Sequence, residues 1–555
     1  MPSIAPGARL SDSFWPADRS EPLLETTLGD LLRQCAAETP DRVAFVEGVR
    51  SPTVRRRWTY RELLVSAETV ARALLRRFKP GERVAVWSES RAEWVLLQHG
   101  AGMARLTLVT VNPAYLEGEL AHVLATSGAA GIFYSERYRD NDTAAIVRTV
   151  KSRLPALREA VPFGDWDTFV ATSDPALALP QVQPADMVQI QFTSGTTGSP
   201  KGACLHHRGL INAARFAALR AGFPRGGIWA SAMPLFHIGG CSSGEFGSFT
   251  ARGTLVMQPV FDAGGMLELI ESDGVCHLHA VPTMLYAMLE HPEFAHRNLS
   301  TLKTIMSGGS PVPATLVRRV RDLLGCRFTI TFGQTELNGV ICQTHPEDVP
   351  ELQSTTIGQP APQMEVKIAD PATGAVLPLG EPGEIWARGY QAMHGYFNVQ
   401  TGEDASLTAD GWLKTGDLAT MDEAGYLRIA GRLKDCIIRG GENIYPREVE
   451  DVLLAHPAVQ QASVVGVPDP KWVEAVAAVI RLRDGTVPPT ALDLHEFCRA
   501  RLAAYKTPVQ WFFVDEYPMT LSGKIQKFAL RERITSGALV PLPFEKPARS
   551  AAPKA

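Results

Sequence analysis

Along the first two-thirds of the chain, two hydrophobic periods take turns. Residues 43–46, 83–87, 106–111 and 131–134 are short runs rich in Val, Ile, Phe and Trp, the signature of buried strands. Between them, 60–77, 92–105 and 117–127 repeat apolar residues every three or four positions, as a helix packed by one face does. Residues 28–35 are predicted to form a shorter helix capped by Thr27, and Thr59 with Glu62 reads as a capping box opening the helix 60–77. Strands alternating with helices give parallel sheets layered with helices, so the fold class is α/β. Residues 142–179 are predicted to hold a helix, a strand and a surface loop. Further on, 304–306 and 328–331 are short strands running into glycines, and 356–395 turns strand-rich, which predicts a small β-subdomain. After Lys434 the pattern restarts. A strand at 435–439, a helix opened by Pro446, strands at 461–467 and 473–482 and a helix at 492–502 predict a separate α+β domain. The expected division is therefore 1–432, a small mobile lid at 433–539, and a Pro/Ala-rich disordered tail at 540–555.

Length supports that division, because 555 residues exceed what one hydrophobic core organises. With 55 basic against 59 acidic residues the net charge is −4, and no long basic run occurs, which argues against nucleic-acid binding. The eight cysteines form no C-x-x-C. Cys204 near His206 and His207, and Cys276 near His277 and His279, lack the spacing of a zinc site. Scattered thiols suit a reducing cytoplasm. Residues 1–21 carry Asp12, Asp18 and Glu21 with no apolar core, so no signal peptide is expected, and no apolar run reaches transmembrane length. Peripheral membrane contact and a homodimer stay open.

The strongest chemical signal lies at 193–202. A strand at 187–192 enters Thr193, Ser194, Gly195, Thr196, Thr197, Gly198, Ser199, Pro200, Lys201 and Gly202, and a helix is expected over 205–220. The glycines let backbone approach a ligand closely. Free N–H groups, five hydroxyls and the Lys201 ammonium then make a phosphate cradle. The glycine and lysine positions differ from the common G-x-x-x-x-G-K-[ST] loop. Downstream, His237 follows Pro234-Leu235-Phe236. Ser307 to Pro311 and Phe332-Gly333-Gln334-Thr335-Glu336 both follow strands, at the carboxyl ends where α/β sheets bind ligands. Gly240-Cys241-Ser242-Ser243-Gly244 matches the G-x-S-x-G nucleophile elbow, so a serine hydrolase using Ser242 is a second reading.

The string 193–202 resembles the phosphate-binding signature of the adenylate-forming enzymes: acyl- and aryl-CoA synthetases, luciferases and peptide-synthetase adenylation domains. The strings at 234–240, 332–336, 411–418, 431–435 and 520–527 match the same superfamily in order, and the texture is most like a medium-chain fatty acyl-CoA synthetase. The resemblance implies an ATP-dependent acid–thiol ligase. A carboxylate and ATP give an acyl-adenylate and pyrophosphate, and coenzyme A then displaces AMP. It implies that Thr193 to Gly198 and Lys201 hold phosphates, and that Glu336 binds Mg²⁺ while Thr335 touches the α-phosphate. Phe332 stacks on adenine beside Gly309, Ser310, Pro311 and Gly333; relatives often carry tyrosine there. Asp417 and Arg432 hold the ribose with Ile429 nearby, Lys434 is the hinge, and Lys524 bridges carboxylate and phosphate oxygens. Gly440 and Gly441 line the pantetheine path, and His237 sits at the acyl end. Phe236, Val281, Met284, Leu285 and Met306 fall near the expected acyl channel, which points to a hydrophobic acid, medium-chain or ring-bearing. An enzyme specialised for one half-reaction, or one loading a carrier-protein thiol, stays open.

Overall fold

A computed structural model describes residues 9–49, 54–193, 200–399, 406–439, 442–519 and 525–544. The chain forms two compact units. One comprises Met1–Lys367, Trp386–Thr415 and Asp422–Leu427; the other comprises Ile368–Ile385, Gly416–Met421 and Arg428–Ala555. Among the described residues no helix is long and apolar enough to cross a membrane.

The first unit is built on two large sheets. In the six-stranded sheet, Glu159–Pro162, Gly131–Tyr134, Arg83–Trp87, Thr107–Val111 and Met187–Thr193 lie parallel in that order, and Lys201–His206 closes it antiparallel. The nine-stranded sheet is parallel from Arg327–Gln334 through Thr304–Gly308, His277–His279, Ile228–Ser231 and Thr254–Met257 to Val43–Glu47, with antiparallel strands at both edges. Near-continuous apolar strands are what two covered faces require. Helix Ala92–Met103 is buried at every residue, and Gly100 lies against Val70 of helix Tyr60–Leu75, where a Cβ would come within 2.6 Å of the valine. The capping box at Thr59 and Glu62 forms as read from the sequence, and Thr27 caps helix Leu28–Glu38.

Two readings change here. The segment after residue 199 is a strand, Lys201–His206, before helix His207–Arg220 begins. Its residues from Gly202 onward are buried against Met187–Thr193, a nonlocal pairing that overrides the helical spacing beginning at Leu205. Likewise the strand expected to stop at Thr331 continues through Gln334, because Phe332 and Gly333 pair with Cys342 and Val340 across a bulge. Residues 142–179 contain helix Thr143–Arg153, strand Glu159–Pro162 and a short helix Trp166–Val170.

The second unit contains a sheet of Glu442–Ile444, Ile437–Arg439, Val473–Leu482 and Val459–Asp469, with Gln510–Phe513 parallel to Val473–Leu482. Alternation at period two sends Val464, Val476, Ala478 and Ile480 into one core, and Val465, Val467, Ala477 and Val479 into another on the opposite face. Residues 540–544, expected to open a disordered tail, are instead packed on the second unit. The Leu542 N–H donates to the Trp511 carbonyl at 2.8 Å, and the Phe544 ring sits 4.9 Å from that of His495. Phe544 and Leu542 extend a hydrophobic cluster, which outweighs their Pro-rich surroundings. Residues 545–555 lie outside the described residues.

Candidate active site

The six-stranded sheet delivers Thr193 and Lys201 as a facing antiparallel pair at the two ends of the segment 194–199. Ser194, Gly195, Thr196, Thr197 and Gly198 lie outside the described residues, so the geometry begins at their anchors. The Thr193 hydroxyl donates to Oε1 of Glu336 at 3.2 Å. On the other side, the His122 ring Nε2 lies 3.0 Å from the Pro200 carbonyl. The nine-stranded sheet delivers Glu336 through the end of strand Arg327–Gln334 and the tight turn Thr335–Leu337. Gly333 is required there. A Cβ on it would lie 2.1 Å from the Gly339 carbonyl oxygen, inside the hairpin that turns Glu336 toward Thr193. Thr335 is buried, whereas Phe332 is half-buried on the same strand.

A second oxygen donor arrives from far along the chain. The Tyr396 hydroxyl donates to the same Glu336 Oε1 at 2.8 Å, and the Lys201 ammonium lies 5.2 Å from the centre of the tyrosine ring. Thr193, Lys201, Glu336 and Tyr396 therefore form one cluster of hydroxyls, a cation and a carboxylate. The segment 391–397 is tied to both sheets. Met393 N–H donates to the Glu336 carbonyl, His394 N–H to the Cys204 carbonyl and Phe397 N–H to the Gly202 carbonyl. Asn338 donates its side-chain N–H to the Gln391 carbonyl at 2.9 Å. His206 joins the same framework: Nδ1 accepts from Gly209 N–H at 3.0 Å, and Nε2 lies 3.1 Å from the Ala392 carbonyl. Burial, and then the neighbouring His394, hold its pKa down at about 4, so the ring is neutral and keeps both roles.

His237 begins a separate corner. Its Nδ1 accepts the Gly239 N–H at 3.1 Å, which places the proton of a neutral ring on Nε2. The following residues, Gly239–Gly244, form a π-helix rather than a strand-to-helix elbow. Ser242 is 1% exposed and its hydroxyl donates to the Leu210 carbonyl. The serine-hydrolase reading fails on this geometry, since a nucleophile must face substrate. Strand Thr304–Gly308 leads into Gly309, whose φ of +76° only glycine adopts cheaply, and then Ser310 and Pro311. Of the apolar residues expected by the acyl channel, Leu285 and Met306 are fully buried, while Met284 packs against the core beneath the nine-stranded sheet.

In the second unit, Asp417 is buried and accepts from Arg432 Nε at 2.8 Å, while the arginine is exposed. Gly416 N–H donates to Glu384, which fixes the turn before Asp417. Ile429 is half-buried on the strand that ends at Arg432, and Lys434 is exposed in the turn Leu433–Asp435. Gly440, Gly441 and Lys524 lie outside the described residues. The sequence reading missed Tyr396 and His122. Nothing around either resembles a motif, and each acts on a partner tens of residues away.

Residues 32–397 match the family described as AMP-binding enzyme, and residues 448–524 match the AMP-binding enzyme C-terminal domain. The chain is 37% identical over 541 residues to the Bacillus subtilis (strain 168) protein YngI, named as an acyl-CoA synthetase, covering 92% of this chain and 97% of that one. It is 34% identical over 552 residues to the mitochondrial medium-chain acyl-CoA ligase ACSF2 of Mus musculus, covering 92% and 88%. Among solved structures, o-succinylbenzoate CoA synthetase of Bacillus subtilis with its acyl-adenylate intermediate superposes with a TM-score of 0.79 at 30% identity, over 92% of this chain and 98% of that one. The chain belongs to the AMP-binding enzymes, the adenylate-forming family. Its activity is that of an AMP-forming acid–thiol ligase, which works through an acyl-adenylate.

Proposed function

We propose that the protein activates a hydrophobic carboxylic acid of medium chain length with ATP and transfers the acyl group to coenzyme A. The observation that carries this reading is the Glu336 carboxylate, held by two hydroxyls beside the Lys201 ammonium at the mouth of the segment 194–199. One carboxylate among hydroxyls suits Mg²⁺ that takes its other oxygens from phosphates and water. Among the described residues no group of three metal-ligating side chains exists to form an all-protein cage. Bound there, Mg²⁺ would neutralise charge on the departing pyrophosphate.

Adenylation is an in-line attack of the acid on the α-phosphate, governed by positioning and charge rather than by an enzyme nucleophile. In this reading Lys201 and the 194–198 backbone hold the β- and γ-phosphates, and Thr335 meets the α-phosphate. Phe332 stacks on adenine, flanked by Gly309, Ser310, Pro311 and Gly333. Asp417 and Arg432, with Ile429 alongside, take the ribose hydroxyls. The Nε2 proton of His237 orients the acid, and Lys524 bridges it to the phosphate. Residues 433–539 act as a lid hinged at Lys434, bringing Gly440 and Gly441 to the pantetheine for the second step, in which the thiol displaces AMP. The apolar set Phe236, Val281, Met284, Leu285 and Met306, and the medium-chain ligase among the relatives, support the choice of acid. A cytoplasmic location is part of the same reading. The test is a panel of straight-chain acids of increasing length and ring-bearing acids, scored by AMP release with and without coenzyme A. We expect coenzyme-A-dependent release that peaks at medium length; release indifferent to coenzyme A would sink the proposal.

A further inference from the structure

Among the described residues, the Glu336 carboxylate receives its hydrogen bonds on one oxygen. Thr193 and Tyr396 donate to Oε1, and no described residue hydrogen-bonds Oε2. Two neutral donors on one oxygen fix the plane of a carboxylate and aim its other oxygen away from them, toward a further partner. Tyr396 holds this position firmly. Its backbone bridges Ala203, the adjacent Phe397 N–H donates to the Gly202 carbonyl, and its ring lies against the Lys201 ammonium. Glu336 is clamped in turn, because its own carbonyl accepts the Met393 N–H.

We propose that Tyr396 is the positioning residue of the metal site, its hydroxyl saturating Oε1 of Glu336 so that Oε2 faces the cation. The proposal rests on the reading of Glu336 as the Mg²⁺ ligand. Tyr396→Phe removes the one donor and leaves the ring over Lys201 and the backbone bridge to Ala203 in place. Loss of a single neutral hydrogen bond should weaken the site about three- to tenfold. The expected result is a rise of that size in the magnesium concentration for half-maximal pyrophosphate release. Raising magnesium should recover the rate, with KM for acid and for coenzyme A unchanged, the pattern of lost binding rather than lost chemistry.

Binding of Mn²⁺ in the presence of a non-hydrolysable ATP analogue, followed by electron paramagnetic resonance, should weaken in parallel without turnover. Glu336→Gln is the companion variant. If it shifts the metal dependence and Tyr396→Phe does not, the positioning role is overturned while the metal site stands. If neither variant shifts it, both readings fall. A Tyr396→Phe protein whose melting temperature drops while its metal dependence stays at the parent value would show a merely structural tyrosine and also overturn the proposal.

Discussion

Lys524 is the residue on which the proposed chemistry leans most in the first half-reaction. It is the only cation among Ser522, Gly523, Lys524 and Ile525. Its role is to meet charge that develops only as the acid attacks. Lys524→Ala should cut pyrophosphate release about 10²–10³-fold, the size expected for one preorganised donor. Conversion of preformed acyl-adenylate to thioester should persist, since the second step has a good nucleophile and leaving group. Near-parent pyrophosphate release would remove Lys524 from the mechanism. At this scale the sequence reaches far. The string Phe332-Gly333-Gln334-Thr335-Glu336 names the carboxylate, and Gly333 explains itself through the backbone it touches. Tyr396 escaped because its meaning is a hydroxyl aimed at a residue 60 positions earlier.

One element shows a local rule broken. Strands Val459–Asp469 and Val473–Leu482 are joined by a three-residue turn in which Asp469 accepts the Lys471 and Trp472 N–H groups. A hairpin of this length needs a left-handed residue after the turn, usually glycine. Here Val473 takes that place with φ +71° and is 67% exposed. A β-branched residue is strained in that region by about 1–3 kcal/mol, whereas glycine adds about 0.5–1 kcal/mol of unfolded-state freedom. Val473→Gly should therefore stabilise by about 1 kcal/mol, read as a higher denaturant midpoint. A lower midpoint would mean that Val473 makes contacts offsetting its strain. Strand Lys201–His206 teaches the complementary lesson. Its apolar residues allowed a helix, and only a partner strand beginning 14 residues earlier decided otherwise.

For the molecule as a whole, four buried histidines contribute to its response to acid. Desolvation is the largest cause holding His206 and His279 at about 4, and His207 and His277 at about 3. His207 uses its unprotonated Nδ1 to accept the Leu28 N–H, as His206 does for Gly209. Neither nitrogen of His277 has a hydrogen-bond partner among the described residues. All four folded pKa values lie below the unfolded value near 6.5, so the unfolded state binds more protons as pH falls. Stability is fully present above about pH 6.5 and is lost toward pH 4, each histidine contributing up to about 1.4 kcal/mol per pH unit. Melting temperature should be flat from pH 8 to 7 and fall steeply below pH 6, and His277→Phe should make that fall shallower. An unchanged slope in the variant would place the acid sensitivity elsewhere. The proposed lid makes a second prediction at this scale. Proline at 434 fixes φ and restricts Leu433 before it. Lys434→Pro should let acyl-adenylate form and accumulate while transfer to coenzyme A falls sharply. Rapid-quench rates equal to the parent's in both half-reactions would rule out the hinge.

By itself the sequence determined the α/β class, the caps of the early helices and the adenylate-forming family, because these depend on spacing, turn chemistry and short strings within a few residues. Tertiary structure alone decided that Lys201 begins a strand and that Phe332 belongs to a hairpin. It also decided that Ser242 is buried, that Phe544 packs on His495, and that Tyr396 shares a carboxylate oxygen with Thr193. In each of these cases the deciding free energy comes from a partner distant in sequence. It is a ladder of hydrogen bonds, a buried face or a shared acceptor, and local periodicity carries no record of it.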